Sequence, residues 1–122
     1  MGAMQRRKGA TGEREFASLC RENGYDDVHR GRQYHGGADS PDVVGLPGVH
    51  VEVKRTEALS LYTAMWQAIK DAGENIPIVA HRRNDRGWLI VMCADDWFKL
   101  YREWEAGTAH DLTEQEGVNA KD

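Results

Sequence analysis

The fold is decided around residues 41–54, which read PDVVGLPGVHVEVK. The second half of this stretch alternates apolar and polar residues with a period of two, as half-buried β-strands do. Residues 46–48 have the composition of a turn, and residues 42–44 begin an apolar run before it. The stretch therefore predicts two strands joined as an antiparallel hairpin.

The same alternation predicts which side chains share a face of the second strand. Glu52 and Lys54 are two residues apart and project from one face, whereas Val51 and Val53 point to the other face, into the core. Asp42 lies on the preceding strand and can come opposite Glu52 across the hairpin. The sequence thus predicts two carboxylates and an ammonium group on one small patch.

This combination of charges favours a particular chemistry. Two adjacent carboxylates repel each other, and a hard divalent ion such as Mg²⁺, which prefers oxygen ligands, compensates them. Such an ion activates a bound water and stabilises charge on a phosphate, while Lys54 can orient the water or hold the phosphate. The patch indicates attack of water on a phosphodiester. An exposed Glu-x-Lys can also be only a solvated ion pair.

The rest of the chain supplies the other elements of an α/β fold. Helical spacing and capping residues predict three helices: residues 11–23, capped by Thr11, residues 60–72, and a segment that begins near Asp95. Short apolar runs predict five strands: residues 25–30, 42–44, 49–54, 76–81 and 88–93. The order α, β, β, β, α, β, β, α indicates a mixed central sheet of four or five strands flanked by helices.

Length and composition favour one globular domain. The chain has 122 residues, 40% of them apolar, which suffices for a core without disulfides. Cys20 and Cys93 belong to no metal-binding or redox motif. We expect both to be core residues of a protein in a reducing compartment. No apolar run is long enough for a membrane span, so we expect a cytoplasmic protein. We assign residues 1–106 to the domain and residues 107–122 to a polar acidic tail that frays.

The net charge of −4 conceals an uneven distribution. Residues 103–122 hold six acids and one base, so the remainder of the chain carries +1. Local patches decide contact with DNA, not the sum over the chain. The basic residues cluster at Arg6-Arg7-Lys8, Arg14, Arg30-Gly31-Arg32 and Arg82-Arg83. Each of these clusters, taken singly, is also compatible with ordinary solvated charge.

Pro41-Asp42 followed by Glu52-Val53-Lys54 resembles the motif of the PD-(D/E)xK nuclease superfamily. Within it, the chain is similar to archaeal-type Holliday-junction resolvases and their phage relatives. These proteins open with a basic Lys-Gly segment and a Glu-Arg-Glu on the first helix, matched here by residues 7–9 and 13–15. Arg30 matches a strand that ends in arginine. The resemblance covers about residues 6–93.

The resemblance implies a restriction-endonuclease-like core and a DNA endonuclease that uses Mg²⁺, with Mn²⁺ as a substitute. Its metal ligands would be Asp42, Glu52 and the backbone carbonyl of Val53, and Lys54 would serve the nucleophilic water. Glu13 would complete the acidic cluster, and Gln67, on the helix after the lysine strand, would hold a water or Lys54. Contacts to DNA are expected from Arg7, Lys8, Arg14, Arg30, Arg32 and Arg55.

The resemblance also implies a homodimer that nicks symmetric strands of a four-way junction, in a bacterial or phage setting of recombination and repair. A nuclease of the same fold acting on flaps, single strands or duplex DNA remains open, since the virus-type replication-repair nucleases share the core. The same residues are also compatible with a non-catalytic DNA-binding module, or with an unrelated αβ protein whose carboxylates merely coincide. The loop at residues 31–40 and the acidic tail depart from the family pattern and leave the substrate open.

The remaining polar and aromatic residues carry weaker expectations. His50 and His81 lie on strand positions, and we expect structural roles for both. Trp88, Trp97 and Trp104 are expected in the core or in an interface.

Overall fold

The computed structural model describes the backbone of residues 2–31 and 41–121, and the side chains of residues 9–31 and 41–108. Its helices are α1 (Gly2–Glu22), α2 (Leu61–Ala72) and α3 (Ala94–Lys121). Its strands are β1 (His29–Arg30), β2 (Val43–Val44), β3 (Val49–Arg55), β4 (Ile76–Arg82) and β5 (Leu89–Met92). The predicted α/β class and the order αβββαββα are confirmed.

The five strands form one mixed sheet in the order β1-β2-β3-β4-β5. Neighbouring strands are antiparallel, with the exception of β3 and β4, which are parallel. A parallel pair cannot be joined by a tight turn, so the chain needs a crossover, and α2 supplies it. This crossover puts α2 on one face of β3 and β4.

Opposite faces of β3 are covered by different helices. Val51 and Val53 belong to a core cluster that also contains Phe16 and Ala17 of α1, as the alternation predicted. Gly12 lies so close to β3 that an added Cβ would be 2.5 Å from Cβ of Arg55. The intervening residues of β3 turn towards α2, which buries Ala64, Met65, Ala68 and Ala72.

The start of α1 was predicted wrongly, and its end was predicted well. The helix begins at Gly2 rather than at Thr11, because residues 3–8 are mostly strong helix formers and carry the helix through the expected cap. It ends before Gly24, whose φ of 99° suits glycine, and the amide of Tyr25 donates to the carbonyl of Cys20 at 3.1 Å. Residues 25–28 belong to the turn that follows the helix. The strand predicted at residues 25–30 is therefore limited to His29–Arg30.

Residues Cys93–Asp122 form a compact unit distinct from Met1–Met92. The helix of this unit, α3, reaches Lys121, so the expected fraying beyond Gly107 was wrong for the backbone. Alanine, leucine, glutamate and glutamine in this segment are good helix formers despite its polarity. The predicted boundary between residues 106 and 107 falls inside this helix.

Three further expectations concern burial and membranes. Cys20 is buried in the core, as predicted, whereas Cys93 is half-buried. Trp88 packs on Phe16 with ring centroids 5.2 Å apart, but Trp97 and Trp104 are exposed and so are not core residues. Among the described residues, no helix has the combination of length and apolar character that crossing a membrane requires.

Candidate active site

The backbone just before β2 is irregular and directs Asp42 towards β3. Val43 pairs with Val51, and the amide of Asp42 also donates to the carbonyl of Val51 at 2.8 Å. Two residues on one strand then oppose one on the other, which is the arrangement of a β-bulge and re-aims a side chain. The side chain of Asp42 is thereby released from strict alternation.

The carboxylate of Asp42 continues the β2–β3 ladder beyond the last backbone pair. Its Oδ2 accepts a hydrogen bond of 2.8 Å from the backbone N–H of Val53. From this position the carboxyl group is close enough to Glu52 and Lys54 for both charges to act on its pKa. The structure therefore brings together Asp42, Glu52 and Lys54.

The electrostatics of this group are unfavourable for two bare carboxylates. Burial raises the pKa of the Asp42 carboxyl to about 6, and the neighbouring Glu52 contributes to the same rise. The Val53 amide and the Lys54 ammonium act in the opposite direction without cancelling it. A cation placed between the two carboxylates would relieve this repulsion, which makes the pair a candidate metal site.

Glu52 has a second polar neighbour that the sequence analysis treated as structural. His50 Nε2 lies 2.8 Å from Glu52 Oε1, and both side chains are buried, with 3% and 6% of their surfaces exposed. The two residues share a face because they are two apart on β3. The period of two that places Glu52 and Lys54 on one face also places His50 there, so this contact could have been predicted from the sequence.

The crossover helix contributes a third group on the same side. A ring nitrogen of His50 and carboxylate oxygens of Glu52 and Asp71 all lie within 4.8 Å of one another. Asp71 was not predicted from the sequence. Gln67 precedes it by four residues, about 6 Å along α2, and is exposed.

Glu13 lies on α1, on the Val51 side of the sheet. It is buried, and its carboxylate forms an ion pair with Nε of Arg30 on β1. The pair ties α1 to the edge strand and leaves the Arg30 side chain 39% exposed, so Arg30 still reaches solvent. The catalytic role of Glu13 and the DNA contact of Arg30 remain predictions.

Arg55 is held in a different ion-pair network on the α1 side. Its Nε donates to Glu15 Oε2 at 3.2 Å, and Arg82 Nη1 donates to the same oxygen at 3.0 Å. Only 13% of the Arg55 side chain is exposed. The predicted contact of Arg55 with DNA would require it to leave Glu15, which favours a structural role.

Of the other predicted DNA contacts, Arg14 is exposed on α1 and can reach a phosphate. The side chains of Arg7 and Lys8 and the whole of Arg32 lie outside the described residues. His81, expected to be structural, contacts the carbonyl of Thr56 at 2.9 Å through its Nε2.

No model of a known protein family matches the chain, and no curated protein matches it. Membership of the PD-(D/E)xK superfamily therefore remains a prediction from the motif.

Proposed function

We propose that this chain is a Mg²⁺-dependent DNA endonuclease of the PD-(D/E)xK type. Its proposed substrate is branched DNA such as a four-way junction. The observation that carries the proposal is the contact between the carboxyl groups of Asp42 and Glu52 beside Lys54. A metal-dependent hydrolase of phosphodiesters can use such a set: acidic ligands for a hard cation and a positive group for the water or the phosphate. The choice of branched DNA, and of a homodimer, rests on the resemblance in sequence.

The donors around Asp42 fit Mg²⁺. The Asp42 carboxylate accepts a hydrogen bond from Val53 N–H, and the Glu52 carboxylate is hydrogen-bonded to His50. A cation bound by both would relieve the repulsion that raises the pKa of Asp42. The N–H and the C=O of one strand residue point to the same neighbouring strand in an antiparallel ladder. The carbonyl of Val53 is therefore directed towards Asp42, as its N–H is. Two carboxylates and a carbonyl, completed by water, are ligands that Mg²⁺ accepts.

The side chains have separable tasks in the proposed reaction. When bound, Mg²⁺ supplies an activated water and compensates charge on the phosphate. The Val53 amide holds Asp42 Oδ2 in place. Lys54 Nζ, on a half-buried side chain of the Glu52 face, donates to the attacking water or to a non-bridging phosphate oxygen. Because the pKa of Asp42 is about 6, its carboxylate is ionised at neutral pH and ready for a cation.

A cleavage assay on an end-labelled mobile four-way junction, with Mg²⁺ and with chelator, tests the proposal. We expect nicking with Mg²⁺ alone. D42N and K54A should each lower the rate by about 100-fold or more. Both variants should still shift the junction in a gel with Ca²⁺, because D42N keeps every basic residue and K54A removes only one of the cations expected to contact DNA.

Matched controls are available at exposed positions. D26N removes a carboxylate between α1 and β1, and K70A removes an ammonium group from α2; both should cut at the wild-type rate. Full cutting by K54A or D42N would remove the proposed site. Equal rates on junction, linear duplex and single-stranded DNA at one salt concentration would reject branched DNA as the substrate and retain the nuclease.

A further inference from the structure

The proposed nuclease site makes no use of Asp71, which lies close to His50 and Glu52. This group lies on the α2 side of the sheet, and its ligand atoms come from two elements, β3 and α2. Among the residues whose side chains are described, this is the one group of three metal-ligating side chains within 4.8 Å of one another. His50 and Glu52 are held in place by the packing around them, since both are buried.

The composition of the group distinguishes it from a magnesium site. Asp71 brings a second carboxylate towards Glu52, and the two repel unless a cation lies between them. One of the three donors is an imidazole nitrogen, which suits Zn²⁺ and other divalent transition ions, whereas Mg²⁺ takes oxygen ligands. We propose that His50, Glu52 and Asp71 form a second metal site, which takes a divalent transition ion such as Zn²⁺.

The distances allow three-ligand coordination with a modest adjustment. Zinc bonds of about 2.0–2.2 Å at tetrahedral angles separate neighbouring ligand atoms by about 3.4 Å. His50 Nε2 and Glu52 Oε1 are already 2.8 Å apart, so they need to open slightly. The carboxylate oxygen of Asp71 lies within 4.8 Å of the other two ligand atoms and would have to move closer to them. Asp71 is half-buried, so its side chain can rotate on the solvent side. A water molecule would complete the fourth position, and the ion would enter from the solvent side of the site, where Asp71 lies.

The two proposed sites share Glu52 and its neighbour His50, but each has an acid of its own. Asp42 belongs to the magnesium site alone, and Asp71 belongs to the transition-metal site alone. Zinc binding is measured without DNA, so its outcome is independent of whether the protein cuts a phosphodiester. Conversely, loss of nuclease activity leaves the zinc prediction standing.

Competition of metal-free protein with a chromogenic zinc chelator at pH 7.5 tests the site. A Cys93→Ser background removes the half-buried thiol as a rival ligand. We expect one Zn²⁺ per chain, and affinity at least about 10-fold weaker in D71N and in H50Q, by the scale of losses seen when zinc sites are disturbed. Excess Mg²⁺ should displace the zinc poorly.

Two controls separate the site from its surroundings. E74Q removes an exposed carboxylate three residues after Asp71, and D26N removes an exposed carboxylate between α1 and β1; both should bind Zn²⁺ within about threefold of the background protein. Thermal melts confirm that H50Q and D71N are folded, and H50Q keeps an amide that can bond Glu52. The proposal is overturned if the background protein binds no zinc, if folded D71N binds as tightly, or if E74Q weakens binding as much as D71N.

Discussion

The carboxyl group of Asp42 connects the catalytic proposal to the stability of the protein. A folded-state pKa of about 6 is higher than the value near 4 expected in the unfolded chain. The folded protein therefore holds this proton more tightly, and its stability falls as pH rises from about 4 to about 6, because the unfolded chain loses the proton first. The destabilisation is absent below this range and complete above it.

Replacing Asp42 by asparagine should stabilise the protein at neutral pH, because the amide cannot ionise. In metal-free buffer we expect D42N to melt on the order of 5 °C above wild type at pH 7.5. The difference should shrink towards zero near pH 4, where both side chains are neutral. Thermal melts followed by circular dichroism measure it, and D26N is the control that should not change.

Added Mg²⁺ separates this explanation from a simple packing effect. The ion binds the folded protein only and should raise the melting temperature of wild type, while D42N gains little. Wild type melting above D42N at pH 7.5 in chelator would contradict the repulsion described for Asp42 and Glu52.

At the scale of elements, strand alternation explains most of what could be anticipated. The pattern of residues 49–54 predicted that Val51 and Val53 face the core, since a period of two is a local property of the chain. Glu52 and Lys54 followed from the same period. These are the parts of the site that one strand determines alone.

Contacts between elements were the part that sequence reasoning missed. Nothing local specifies that Asp71 on α2 comes within 4.8 Å of His50 on β3, because this depends on how the crossover helix lies on the sheet. The pairing of Arg55 with Glu15, 40 residues earlier, is a tertiary contact of the same kind. The DNA contact predicted for Arg55 did not take this ion pair into account.

The packing of α1 on β3 predicts opposite effects for two glycines of one helix. A Cβ at Gly12 would meet Cβ of Arg55 at 2.5 Å, an atom that cannot move without the strand. We expect G12A to lose about 1–3 kcal/mol of unfolding free energy through overpacking, despite the better helix propensity of alanine. Nothing lies within 4 Å of a Cβ at Gly9, so G9A should gain about 0.5–1 kcal/mol.

Chemical denaturation at equilibrium measures both changes on the same scale. The two substitutions are identical and three residues apart, so their difference reports the contact with β3. Equal stabilisation by G12A and G9A would show that α1 lies further from the strand than described.

At the scale of the whole molecule, the helix of the second unit has an unusual surface. Trp97, Tyr101 and Trp104 follow one another at helical spacing and are all exposed. Trp97 and Tyr101 stack with ring centroids 5.2 Å apart, and Tyr101 and Trp104 are 5.6 Å apart. Contiguous exposed aromatic surface is uncommon on monomeric proteins and marks interaction sites.

This aromatic face gives the expected homodimer a location that can be tested. In a two-fold dimer the same patch meets itself, and a row of aromatic rings is self-complementary in this sense. We expect the full chain to sediment as a dimer at micromolar concentration and W97A/W104A to sediment as a folded monomer. W66A, at an equally exposed tryptophan on α2, should stay dimeric. A monomeric wild type, or a double variant that remains a dimer, would rule out α3 as the dimer contact.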